Sequence, residues 1–181
     1  DTKMLGQPAV SATQIAFVYA NDLWTAGLDG RNVRRLTPDI GIEFSPRFSP
    51  GGKLIAFSGQ YDGNIDVYVV SAEGGVPKRL TWHPGADVVQ DFTPDGQAFL
   101  FTSARESAVR SYLNLFIVPV GGGVPAKHPI PYAFQAVFSP DGKKVAYNPF
   151  AEAFNQWKHY RGGRNSRIWI FDNADHSVLA V

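Results

Sequence analysis

Cysteine is absent from this 181-residue chain. That excludes a disulfide framework and thiol chemistry, and it leaves the redox compartment undecided. Long apolar runs are missing too: no stretch approaches the roughly 18 residues that a spanning helix needs, so helical membrane insertion is excluded. The opening "DTKMLGQPAV" lacks the basic and apolar regions of a signal peptide, as would a mature secreted protein or a cut piece of a longer one. There is no basic excess either. A net charge of +1, with 16 acidic residues against 17 Lys and Arg, argues against a general polyanion binder. Histidine is scarce and scattered: His83, His128, His159 and His176 lie in separate segments, none paired with another as a zinc site would require. No Gly-x-Ser-x-Gly elbow occurs, and "GGGVP" at 121–125 links strands and does not open a helix, so it is no phosphate loop. No catalytic residue, metal or cofactor is expected.

What is present is a repeat. With 44% hydrophobic and 18% charged residues the chain can bury a core. "FSPGGK" at 48–53, "FTPDGQ" at 92–97 and "FSPDGK" at 138–143 place Pro50, Pro94 and Pro140 at intervals of 44 and then 46 residues. In each, Pro fixes φ and Gly supplies a positive φ, the chemistry of a tight hairpin. Apolar runs follow the turns in "LIAFSG", "AFLFTS" and "KVAYNP", and "QIAFVY" matches them without a preceding Pro-Gly turn. A further element, "DLWTA", "DVYVV", "NLFIV" and "RIWIF", carries an aromatic at its third position: Trp24, Tyr68, Phe116 and Trp169. "RRLT" and "KRLT" end at Thr37 and Thr81, with weaker counterparts near His128 and Val178.

Four short strands per unit predict an all-β protein, a β-propeller of about four blades, with blades at about 8–40, 41–84, 85–130 and 131–181. A blade cannot cover both faces of its own sheet, so the aromatic ladder is read as packing between blades and not as a stacking platform for ligands. "DGNID" sets Asp62, Asn64 and Asp66 at alternate positions, with Glu73 twelfth, and superficially resembles a calcium loop. Val67 stands where that loop needs Gly, so a hairpin turn accounts for these residues.

"PFAEAFNQWKHYRGGRNSRIWIFD", residues 149–172, connects the second and third strands of the fourth unit as an elongated hairpin loop. Long loops on regular scaffolds tend to carry function. Trp157, Lys158, Tyr160 and Arg161 are its candidate contacts, acting as a clamp between blades or as a site for peptide carboxylates or another domain; nucleic-acid stacking does not fit the balanced charge. On the first strands, which should line a central channel, Glu43, Arg47, Asp91 and Gln135 are candidates for ligand contact or for solvated channel positions.

"NQWKHYRGGRNSRIWIF" resembles the corresponding stretch of the N-terminal propeller of tricorn-type proteases, and "IAFVYANDLWTAGLDGRNVRRLT" is similar to that family's first blade. The turns and "DVYVV" are shared with TolB-like propellers. The resemblance implies a segment of a six-bladed propeller within a serine peptidase, whose catalytic residues lie elsewhere. The segment would serve peptide passage, gating or domain docking. Its expected partners are peptides or another protein and the remaining blades and domains of a parent chain, with self-association through uncovered end blades, and neither nucleic acid nor membrane. Secreted bacterial relatives favour a secreted or periplasmic location. The alternatives are a TolB-like periplasmic interaction module and the accessory propeller of another hydrolase.

Overall fold

The computed structural model describes residues 4–107, 109, 112–151, 162 and 167–181. These form four four-stranded antiparallel sheets and no helix. The first comprises β1 (Gly6–Val10), β2 (Gln14–Tyr19), β3 (Asp22–Gly27) and β4 (Arg34–Arg35); the second β5 (Ile42–Phe48), β6 (Leu54–Gln60), β7 (Ile65–Ser71) and β8 (Lys78–Arg79). The third comprises β9 (Asp87–Phe92), β10 (Ala98–Ser103), β11 (Asn114–Pro119) and β12 (Ala126–Lys127); the fourth β13 (Gln135–Phe138), β14 (Lys144–Asn148), β15 (Trp169–Asp172) and β16 (Val178–Ala180). Within every sheet the strands lie in chain order. β5 packs against both β1 and β9, and β9 against β13, so the first strand of each sheet is the innermost.

The Pro-Gly turns close by one mechanism. Gly52, Gly96 and Gly142 have φ of 67°, 70° and 71°, and their N–H groups donate to Ser49 O, Thr93 O and Ser139 O at 2.8 Å each. The hydroxyls of Ser49, Thr93 and Ser139 accept from the N–H of Leu54, Ala98 and Lys144 at 3.1, 3.0 and 2.9 Å. A β-carbon at Gly96 or Gly142 would meet Pro50 or Pro94 of the preceding sheet at 3.4 or 3.6 Å, so each turn rests on the turn before it.

Strand alternation sends side chains to the two neighbouring sheets. Ile55, Phe57, Tyr68 and Val70 pack with Ala16, Leu23 and Leu36 between the first and second sheets. Ala56, Val67, Val69 and Leu80 meet Phe99, Phe101, Phe116 and Val118 between the second and third. Leu100, Leu115 and Ile130 meet Val145, Tyr147 and Phe171 between the third and fourth. Tyr68 and Phe116 are thus core between blades, and Trp169 packs against the last cluster. Four sheets with three such cores, among the described residues, form an open arc: a closed ring of four would need a fourth.

The uncovered face is legible position by position. The N–H groups of Leu36, Leu80, His128 and Val181 donate to the carbonyls of Leu23, Val67, Leu115 and Ile168, which makes each set equivalent. Leu23, Val67 and Leu115 are 0% exposed, whereas Ile168 is 53% exposed; Leu36 and Leu80 are 5% and 0% exposed, whereas Val181 is 73% exposed.

Candidate functional site at the inner strands

An innermost strand pairs on one side only, so half of its backbone groups need partners from elsewhere. Side chains of the preceding sheet supply them. Arg47 Nε donates to Gln90 O at 2.8 Å, Ser58 Oγ accepts from Val89 N at 2.9 Å, and Gln90 Oε1 accepts from Ala136 N at 3.2 Å. Asp91 Oδ2 accepts from Phe138 N at 3.0 Å, while its Oδ1 accepts from Phe92 N at 2.9 Å. Arg47 pairs with Ala56, Asp91 with Leu100 and Val137 with Ala146, so these three occupy one register position in successive blades. β-Bulges next to Arg47 and Asp91 turn the strands so that these side chains reach across.

Burial lowers the pKa of Arg47, opposed by the charge of Asp91. Burial raises that of Asp91, opposed by its two backbone donors and by Arg47. Of the four residues predicted as channel contacts, Arg47 and Asp91 thus each commit one polar atom to joining blades.

Glu43 is fully buried. Thr37 Oγ1 donates to its Oε2 at 3.0 Å and accepts from Leu23 N at 3.0 Å. The other carboxyl oxygen and the Tyr61 hydroxyl act on each other electrostatically, and neither has a well-formed hydrogen bond. Burial raises the Glu43 pKa, outweighing its donors. Its place is the joint between blades and not the channel wall.

This explains the repeated "RLT". In the second unit Thr81 Oγ1 accepts from Val67 N at 3.0 Å and lies 3.3 Å from Asp66 Oδ1, and it also reaches Asp87, the counterpart of Glu43. Asp22 and Asp66 pair with Arg35 and Arg79 at 2.8 and 2.6 Å. In the third unit Asn114 and Lys127 occupy those positions, and a different ion pair forms: Arg105, from the loop after β10, pairs with buried Asp87. Its guanidinium lies 5.2 Å from the Phe101 ring centre and 5.1 Å from that of Phe116. Sequence reasoning missed Asp87 and Arg105 and read Asp66 only as a hairpin residue; the six-residue step from Thr37 to Glu43 and from Thr81 to Asp87 was the available signal for Asp87.

Gln135 is exposed. It lines a concavity of about 300 Å³ with Arg47, Gln90, Tyr147, Asn148 and Ile168. A second, of about 320 Å³, lies among Phe48, Phe92, Phe138, the three turn prolines and Asp91. Arg47 and Gln135 thus share a cavity, Asp91 borders the next, and Glu43 borders neither. Asn64 donates to Asp66 Oδ2 and to His83 O at 3.0 and 2.6 Å, which fits the hairpin reading of "DGNID". Among the described residues no cluster of His, Asp or Glu could hold a metal ion. Trp157, Lys158, Tyr160 and Arg161 lie outside the described residues.

Radially arranged four-stranded sheets, stacked face to face with their first strands innermost, define a β-propeller, here an arc of one. Residues 2–181 match the family described as the tricorn protease N-terminal beta propeller domain. The chain belongs to that family. It is 34% identical over 170 residues to tricorn protease homolog 1 of Streptomyces coelicolor, covering 92% of this chain and 16% of that one. The crystal structure of the tricorn protease superposes with a TM-score of 0.82 at 25% identity, over 99% of this chain and 18% of that one. A putative TolB from Agrobacterium tumefaciens shares the fold, with a TM-score of 0.79 at 20% identity over 100% of this chain and 62% of that one. The chain therefore spans about a sixth of the length of the tricorn relatives it matches.

Proposed function

We propose that this propeller segment is a non-catalytic docking element of a tricorn-type serine peptidase, joining further blades of a parent chain through its fourth sheet. The observation that carries this reading is the exposure of Ile168 and Val181 at positions where three earlier sheets bury their counterparts. Apolar positions built for a face-to-face contact and left open favour association. The purified chain is expected to self-associate with rising concentration in gel filtration coupled to light scattering, and Ile168→Lys to shift it toward the 19.8 kDa monomer. It should leave model peptides uncut. A concentration-independent monomer, unchanged by Ile168→Lys, would refute docking through this face; peptide cleavage abolished by one substitution here would refute the non-catalytic role.

Peptide passage is the second reading, favoured by the cavity at the inner strands. Arg47, Gln135 and Asn148 there present a cation and two amides beside the apolar Tyr147 and Ile168. That mixture suits an extended chain with carbonyl or carboxylate groups. Trp157, Lys158, Tyr160 and Arg161 belong to the same proposal as contacts from the long loop.

A further inference from the structure

One interface carries an ionisable ring where its neighbours carry leucine. His128 occupies the register position of Leu36 and Leu80, and like them it is buried, at 6% exposed. Its imidazole lies between the third and fourth sheets, 6.5 Å from the Phe138 ring centre at 72° and 5.5 Å from that of Phe171 at 65°. The ring's hydrogen bonding fixes a neutral tautomer. Nδ1 accepts from Ile130 N at 3.3 Å, so the proton of the neutral ring sits on Nε2. The nearby Asn173 side chain is itself held by donating from Nδ2 to Gly142 O at 2.8 Å. The bond from Ile130 N can form only while Nδ1 carries no proton.

A second proton would go to Nδ1 and set two N–H donors, His128 and Ile130, against each other in an apolar joint. The geometry points to a pH-operated joint: mild acid loosens the contact between the third and fourth blades and leaves the other two contacts closed. This inference is independent of the docking reading.

The neighbouring charges set the sense of the effect. Burial lowers the His128 pKa, the Asn173 side chain opposes this, and His176, stacked on Phe171 with ring centres 5.4 Å apart, lowers it further. On the adjoining outer strand Lys127 faces Glu106 at 3.3 Å. Among the described residues Asp91 also bridges these sheets, and burial raises its pKa, so it binds a proton more readily in the closed joint and works in the opposite direction; Tyr147, whose pKa burial raises as well, stays neutral across this range. A base depressed in the closed state gives stability that is full above its open-state pKa, about 6.5, and falls as the pH drops below it. Opening of the fourth blade should therefore rise between pH 7.5 and 5.5, by at most about tenfold.

The test is hydrogen exchange on the full chain at both pH values, with the intrinsic chemical rate divided out. The expected result is increased opening in β13 to β16, none in β2, β3, β6 or β7, and no pH dependence of the fourth blade in His128→Leu, which restores the residue of the earlier repeats. Equal pH dependence in His128→Leu, or equal loosening of all four blades, would overturn the proposal. An NMR titration of the His128 ring in the unmodified chain provides a second reading that needs no variant. A pKa below 6.5 supports the joint and one at or above 6.5 overturns it.

Discussion

Arg105→Ala should destabilise the chain by about 3 to 5 kcal/mol at neutral pH, the cost of leaving a buried charge without its partner. Asp87 is fully buried, and Arg105 is its cation. The same guanidinium covers the rings of Phe101 and Phe116, so its loss also uncovers apolar surface. The pH dependence follows from the direction of the Asp87 shift. Burial already holds its folded-state pKa above the ordinary carboxylate value, and removing the cation raises it further. A raised carboxylate pKa means that the folded state binds the proton more tightly than the unfolded one, so the penalty is full above the folded pKa and shrinks as the pH falls through it. The deficit of Arg105→Ala relative to the parent chain should therefore narrow in acid. Adding Asp87→Asn to the variant should recover most of the loss at neutral pH, because no buried charge remains. Chemical denaturation at several pH values measures all three quantities. A deficit below about 1 kcal/mol, or one that Asp87→Asn does not reduce, would contradict the pairing as a buried ion pair within the third blade.

Phe101→Ala and Ile168→Ala should have very unequal effects, although both remove a large apolar side chain from a blade of the same architecture. Phe101 is fully buried between the second and third sheets and stacks on Phe116 at 5.8 Å. Truncating it removes the transfer free energy of a phenyl ring and leaves a cavity, a loss of about 3 to 5 kcal/mol. Ile168 stands where Leu23, Val67 and Leu115 are buried, but no sheet of the described chain covers it. In the dilute monomer its truncation should change stability by less than about 0.5 kcal/mol. Equal losses at the two positions would mean that the fourth face is covered.

The repeats were readable because their physics is local. A Ser or Thr, a Pro and a Gly at fixed offsets close the same hairpin wherever they stand, and an aromatic at one strand position marks the same contact, as Tyr68 and Phe116 do. The first unit shows the limit of this: Ser11 accepts from Gln14 N and closes a shorter hairpin without Pro or Gly, so β1 carries no turn signal. The candidate site was legible only in part. Arg47 and Asp91 were located on the inner strands, but what they bond depends on the unpaired edge of the next sheet, which no local pattern encodes. Glu43 reads as a channel residue until Thr37 is seen to hold it in the joint. Arg105 comes from an irregular loop and has no counterpart among the arginines that the first two units carry on their last strands, so periodicity conceals it.

That the four blades form an open arc, with the first and fourth sheets apart, is tested most directly by a distance across the opening. The absence of native cysteine allows spin labels to be placed cleanly at Thr13 in the first blade and Val178 in the fourth. Double electron–electron resonance on labelled chain diluted into unlabelled chain isolates the distance within one molecule. The arc predicts a Thr13–Val178 separation clearly longer than that of a reference pair on adjacent blades, such as Gln97 and Lys143. A separation as short as the reference would mean that the first and fourth blades meet around a closed channel, and would contradict the account.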